Sequence, residues 1–115
     1  MVEAERDALL VRALEYAGGT HTVADVLTGP YQIWEGAQSV VVTQVVEHPR
    51  LKEAFAFLAA GNLEEIRALY PNILAWAKAM GCTRASFLGR PGWSRSFLTR
   101  DEGWHTESVV YSKEL

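Results

Sequence analysis

The densest chemistry in this sequence lies in five residues, Gly89-Arg90-Pro91-Gly92-Trp93. Two glycines let a chain turn sharply, and proline suits the first position of a helix. Arginine and tryptophan are favoured anchors at protein interfaces. The cluster therefore reads as a strand-to-helix turn stiffened for packing, with Arg90 and Trp93 on a rim that a partner can grip. Arg90 is expected to stack on an aromatic face or to pair with Asp101 or Glu102. Arg84, Arg95 and Arg100 crowd the same region, but Asp101 and Glu102 interrupt the run, which marks a solvated face rather than a phosphate site. Trp34, Trp76, Trp93 and Trp104 are more tryptophans than 115 residues easily bury, so at least one is expected at a contact. Trp104 joins Arg90 and Trp93 as a candidate contact residue.

Other reactive types are sparse. Cys82 is the single cysteine, so no internal disulfide can form. It has no histidine near it in sequence and follows a helix end, so it reads as a small core thiol. His21, His48, His105 and Cys82 lack metal-ligand spacing, and no metal is expected. His21 falls in a polar turn between helices.

The remaining composition bounds the class. A chain of 115 residues with 49% apolar and 22% charged residues fits one domain, 1–115, with a core of its own. The net charge of −3 argues against a nucleic-acid binder. No apolar run reaches the ~18 residues needed to span a bilayer. The opening MVEAERDALL is acidic and lacks the layout of a secretory leader. A soluble protein of the cytoplasm, or of a particle assembled there, is expected.

These residues must be positioned by the elements the pattern predicts. Residues 2–17 carry Leu9, Leu10, Ala13, Leu14 and Ala17 at helical spacing, closed by Gly18-Gly19. Thr22 with Asp25 matches a capping box for a short helix, 22–28. Residues 31–35 and the valine-rich 38–47 read as strands, the second apolar on both faces and so central. Residues 51–59 have helix-forming composition but place Leu51, Glu53, Phe55 and Phe57 at period two. They read as a strand hairpinned to the valine strand. Asn62 caps a helix whose first turn holds Glu64 and Glu65. Pro71 then divides the segment into two helices, 62–69 and 71–80, and Gly81 ends the second. A strand at 83–88, a short helix at 91–99 and a last strand at 105–113 follow. The fold class is α/β in the form of an α+β sandwich: a mixed, mostly antiparallel sheet of about five strands flanked by helices.

Two helices, a three-stranded meander, then helix, strand, helix and strand: this order resembles the GNAT fold of the Gcn5-related N-acetyltransferases. The last third is most similar, with a helix ending in glycine (Trp76 to Gly81), a strand (Arg84 to Leu88), a short helix (Trp93 to Leu98) and Gly103-Trp104 before the last strand. The motifs GGTHT, IWEG and GRPGW also resemble small GNAT-like proteins of tailed phages. The resemblance implies a base for an amine substrate, for which Glu47 and His48 at the end of the valine strand are the candidates. It also implies a tyrosine able to protonate a thiolate leaving group, for which Tyr111 is the candidate. The plain reading is that Glu47 and His48 are polar residues at a turn and that Tyr111 packs across strands.

The departure from the family pattern is larger than the match. GNAT enzymes carry [RQ]-x-x-G-x-[GA] before the helix that holds the coenzyme A diphosphate on its N-terminal amides. Here that connection, FLAAGNLEEIRALYP, offers Gly61 and Asn62 alone, followed by two glutamates. No cofactor is therefore expected, with acetyl-CoA at Gly61 and Asn62 the alternative. The expected function is that of a phage-type accessory or virion-associated protein, with a phage structural or host protein as partner. An active acetyltransferase with a divergent coenzyme site is the second reading, and an inhibitor of a host protein a third.

Overall fold

The computed structural model describes residues 1–115, with the side chains of Pro91 and Ser94 outside the described residues. The elements run α1 (Glu3–Glu15), α2 (Val23–Thr28), β1 (Gln32–Glu35), β2 (Ser39–Glu47), β3 (Lys52–Gly61), α3 (Leu63–Ala79), β4 (Arg84–Phe87), a 3₁₀ turn (Pro91–Arg95) and α4 (Phe97–Asp101). The sheet order is β1-β2-β3-β4, antiparallel across the first two pairs and parallel between β3 and β4. Parallel neighbours need a crossover, and α3 supplies it.

The valine strand is central, as its two apolar faces require. Val40, Val41, Val42 and Thr43 are all buried. Val40 and Val42 face α1 and α2, where Leu10, Leu14 and Val26 close a core with Phe57 and Leu58. Of the predicted helical stripe, Leu10, Ala13 and Leu14 of α1 belong to this cluster, and Leu9 and Ala17, the latter just past α1, pack against it. Val41 and Thr43 face the opposite way, toward Ile66, Ile73 and Ala77 of α3 and Phe97 of α4.

The ambiguous segment is a strand, and a bulge explains its mixed pattern. Val42 pairs with Leu58 but Thr43 pairs with Ala56, which leaves Phe57 as the extra residue. Phe57 and Leu58 consequently both point at α1, while Ala54, Ala56 and Ala59 point at α3. Strict alternation is lost over 57–58, and the apolar pattern imitates a helix there.

Three expectations are corrected. The first concerns Pro71, which does not divide α3; the helix is continuous from Leu63 to Ala79. Proline removes one N–H and crowds one carbonyl, but Ile66 and Tyr70 before it and Ile73, Leu74 and Ala77 after it all lie against one sheet. A break would orphan more backbone groups than the proline does. The second concerns the helix expected over 91–99, which is two pieces because Ser96 is extended and caps α4, accepting from the Leu98 N–H at 3.3 Å. The third concerns the last strand, which does not form. Residues 103–115 carry no regular structure, and the sheet has four strands rather than five. A strand needs a ladder partner, and β4 pairs over four residues on one side only. Val109, Val110 and Tyr111 stay exposed.

Candidate functional site

The β3–α3 junction is where the GNAT resemblance implies a diphosphate cradle. Gly61 ends β3 at φ 111°, a conformation open to glycine. A Cβ there would collide with the Gln38 carbonyl oxygen, so its freedom serves close contact with the β1–β2 turn. Asn62 follows as N-cap, its side chain accepting from the Glu65 N–H at 3.1 Å. The Asn62 N–H itself donates to the Gln38 carbonyl at 3.3 Å.

That last bond redirects Glu65. In a capping box the glutamate three residues after the cap accepts from the cap's N–H. Thr22 and Asp25 of α2 do this in full, at 2.8 and 3.2 Å. Here the cap's N–H is already engaged, and Glu65 reaches across to the β1–β2 turn. Its Oε1 accepts from the Gln38 N–H at 2.8 Å and from the Ser39 hydroxyl at 2.7 Å. The Ser39 hydroxyl, then the Gln38 amide, hold the carboxyl below the usual glutamate range. A Cβ on Gly36 would collide with this same oxygen, so the turn is shaped around the carboxylate. An anionic group of the chain's own thus sits at the first turn of α3. These residues do not fit a coenzyme A diphosphate, which would meet a second negative charge there.

The candidate base residues lie at the far end of the same hairpin. Glu47 pairs with Lys52 in register, whereas Gly61 pairs with Ser39. Eight residues of strand separate the two ends, roughly 26 Å at about 3.3 Å per residue. Glu47 is exposed and lies 3.6 Å from Lys52 Nζ, which also donates to the Met80 carbonyl at 3.1 Å. His48 Nε2 lies 3.3 Å from Glu53 Oε1. Tyr111 is 91% exposed in the C-terminal segment, not on a strand. The structure does not bring Glu47, His48, Tyr111 and Gly61 together.

The Gly89–Trp93 cluster turns the chain from β4 into the 3₁₀ turn. A Cβ on Gly89 would lie 2.6 Å from the Phe87 ring and 2.8 Å from Trp93, so glycine is required for their contact. Trp93 packs edge-on against Phe87 at 5.4 Å, and Trp104 lies 5.3 Å from Phe87, tilted against it. Trp104 Nε1 donates to the Tyr70 hydroxyl at 2.8 Å. Both indoles are half-buried, while Arg90 is exposed. Its guanidinium stacks 4.2 Å over the ring of Tyr16 at the C-terminus of α1. Asp101 pairs instead with Arg67 and Arg100. Tyr16, 65% exposed, and Leu88, 54% exposed, accompany Arg90 in leaving aromatic, aliphatic and cationic surface to solvent.

Elsewhere Cys82 is half-buried just after α3. His21 lies between α1 and α2, bonded to Thr20 Oγ1 at 2.7 Å and Tyr31 Oη at 3.2 Å. Among the described residues no three His, Cys, Asp or Glu side chains gather as a metal site, and no helix is long and apolar enough to cross a membrane.

Sequence reasoning missed the roles of Glu65 and Tyr16. Glu65 carried a signal, an N-x-x-E spacing from Asn62, but its partners lie 26 and 27 residues away. Tyr16 interrupts no pattern, and nothing local couples it to Arg90.

No family model matches this chain, and no curated protein matches it. Solved structures do. It is similar to the tetramutant of the BH1408 protein from Bacillus halodurans (TM-score 0.66, 11% identity, 97% of this chain and 93% of that one). It is similar to an aminoglycoside N-acetyltransferase, AAC(6')-Iy, in complex with CoA (TM-score 0.62, 11% identity, 96% and 87%). It is also similar to wild-type TTHA1254 from Thermus thermophilus (TM-score 0.59, 18% identity, 96% and 92%). The architecture is GNAT-like, a mixed four-stranded sheet flanked by helices, a fold shared with the aminoglycoside N-acetyltransferase. A likeness at such identities is one of fold.

Proposed function

We propose that this protein uses a GNAT-like scaffold for contact with another protein and does not transfer acetyl groups from acetyl-CoA held in the usual way. The proposed setting is a phage: an accessory or virion-associated protein whose partner is a phage structural or host protein, in line with the resemblance of GGTHT, IWEG and GRPGW. The observation that carries the reading is Glu65. Its carboxylate, tied to the Gln38 amide and Ser39 hydroxyl of the β1–β2 turn, sets a negative charge on the first turn of α3, where the resemblance would put a diphosphate. The Arg90–Tyr16 stack is the proposed contact surface, since exposed arginine and tyrosine are favoured anchors.

One observation favours acetyl transfer as a second reading. The β3–β4 ladder stops at Ala56 and Phe87, followed by one bond from the Leu88 N–H to the Ala56 carbonyl. Beyond it β3 runs on to Gly61 with no pair in β4, leaving a strand edge beside which an extended ligand can lie.

Thermal unfolding with acetyl-CoA separates the two. A ligand at about 100 times its Kd stabilises a fold by roughly 2.7 kcal/mol. No shift at millimolar acetyl-CoA is expected, together with detection of the protein in purified phage particles by mass spectrometry. A saturable rise in Tm overturns the non-catalytic reading.

A further inference from the structure

A cavity of about 80 Å³ lies between the sheet and α3. Its origin is visible in the sequence. Ala54, Ala56 and Ala59 of β3, Ala85 of β4 and Ala77 of α3 all face it, each a methyl where a larger aliphatic residue would fill the layer. Aromatic contacts prop the helix away from this floor at both edges of the sheet. Trp34 of β1 meets Trp76 of α3 at 5.7 Å. Tyr70 of α3 is bonded to Trp104, which rests on Phe87 of β4. With α3 held at both edges, the alanines between them cannot be covered by collapse.

The polar groups nearby are mostly consumed. The Thr43 hydroxyl accepts from Trp34 Nε1 at 2.9 Å and donates to Gln32 Oε1 at 3.3 Å. The Tyr70 hydroxyl accepts from Trp104. Among the described residues no charged side chain lines the space, and Ser86 adds a further hydroxyl to the wall. A charged or strongly polar ligand would lose its hydration there without replacement.

We infer that this cavity is a binding site for a small neutral aliphatic molecule, or the end of a short aliphatic chain, with room for one hydroxyl. Scaled from an apolar cavity of ~150 Å³ that holds the six carbons of benzene, the space takes about three carbons. The inference stands on the alanine floor and its aromatic props, and is independent of how the protein's partner or coenzyme chemistry is read.

The test is a titration of the whole chain with 1-propanol, followed by methyl NMR, with propionate as the charged control. Saturable shifts confined to the methyls of Ala56, Ala59, Ala77 and Ile73 are expected with the alcohol and not with propionate. Two filling variants, Ala59→Leu and the gentler Ala56→Val, should weaken binding by about tenfold or more, because a filled void excludes the ligand sterically. Shifts that never saturate, that spread over the surface, or that persist in folded filling variants overturn the site. Failure of both variants to fold overturns it too, since it shows that the space was already full.

Discussion

Glu65 gives the clearest prediction at the scale of single residues. Its carboxyl is held below the usual glutamate range by the Ser39 hydroxyl first and the Gln38 amide second. A group whose folded value is lowered stabilises the fold in full above its unfolded value, about 4.3 for glutamate, and ceases to as the pH falls through the lower folded value. Glu65→Gln keeps an oxygen for Gln38 but removes the titration. The variant should be less stable than the parent at pH 7, and the gap between them should close as the pH falls below about 4.3 and through the lower folded value. Urea unfolding of both proteins across that range measures it. A gap that does not change with pH would show that the carboxylate is not what ties the β1–β2 turn to α3. The same substitution probes the function: if Glu65 is what excludes a diphosphate, the glutamine variant should bind coenzyme A better than the parent, even if weakly.

Among the elements, α3 shows most directly where local rules yield to packing. Pro71 sits inside a continuous helix of 17 residues. It lacks the N–H that would reach the Arg67 carbonyl and crowds that oxygen. Pro71→Ala restores the bond and should stabilise the protein by about 1–2 kcal/mol, part of the gain being offset by a freer unfolded chain. For a domain of this size that is a rise of roughly 4–8 °C in Tm, read by calorimetry. A fall in Tm would mean that Tyr70 needs the proline to reach Phe97 and Trp104.

Much of this scale was legible in the sequence. The Asn62 cap, the Thr22–Asp25 box and the central valine strand rest on contacts within a few residues or on uninterrupted periodicity. The strand at 52–61 was readable through Phe55 and Phe57 despite its alanines. What misled were features decided at a distance. Whether Pro71 ends a helix depends on the sheet beneath both halves. Whether 105–113, with Val109, Val110 and Tyr111, becomes a strand depends on a partner edge. The candidate site was less legible still, because Glu65 and Arg90 find their partners across the chain, while Glu47 and Gly61 share one hairpin and sit at its opposite ends.

For the molecule as a whole, the two faces of the sheet are unequally packed. Among the described residues, the fully buried aliphatic side chains, Leu10, Val26, Val40 and Val42, lie in the cluster under α1 and α2. On the opposite face α3 buries one residue, Ala77, and stands over a hollow. The cost of truncating a core residue is its lost transfer energy plus the cavity left behind. Leu10 is wholly enclosed, so Leu10→Ala leaves its full volume empty and should cost about 3–5 kcal/mol. Leu74 already borders the open space and is half-buried, so Leu74→Ala removes fewer contacts and should cost less, about 1–2 kcal/mol. Denaturant unfolding of the two variants compares chemically identical deletions on the two faces. If the costs are equal, α3 is packed as tightly as α1 and the hollow is not a feature of the folded protein. If they differ as expected, amide exchange should be faster in α3 than in β2, because an element held at its edges by aromatic contacts opens at lower free energy than the core on the other face.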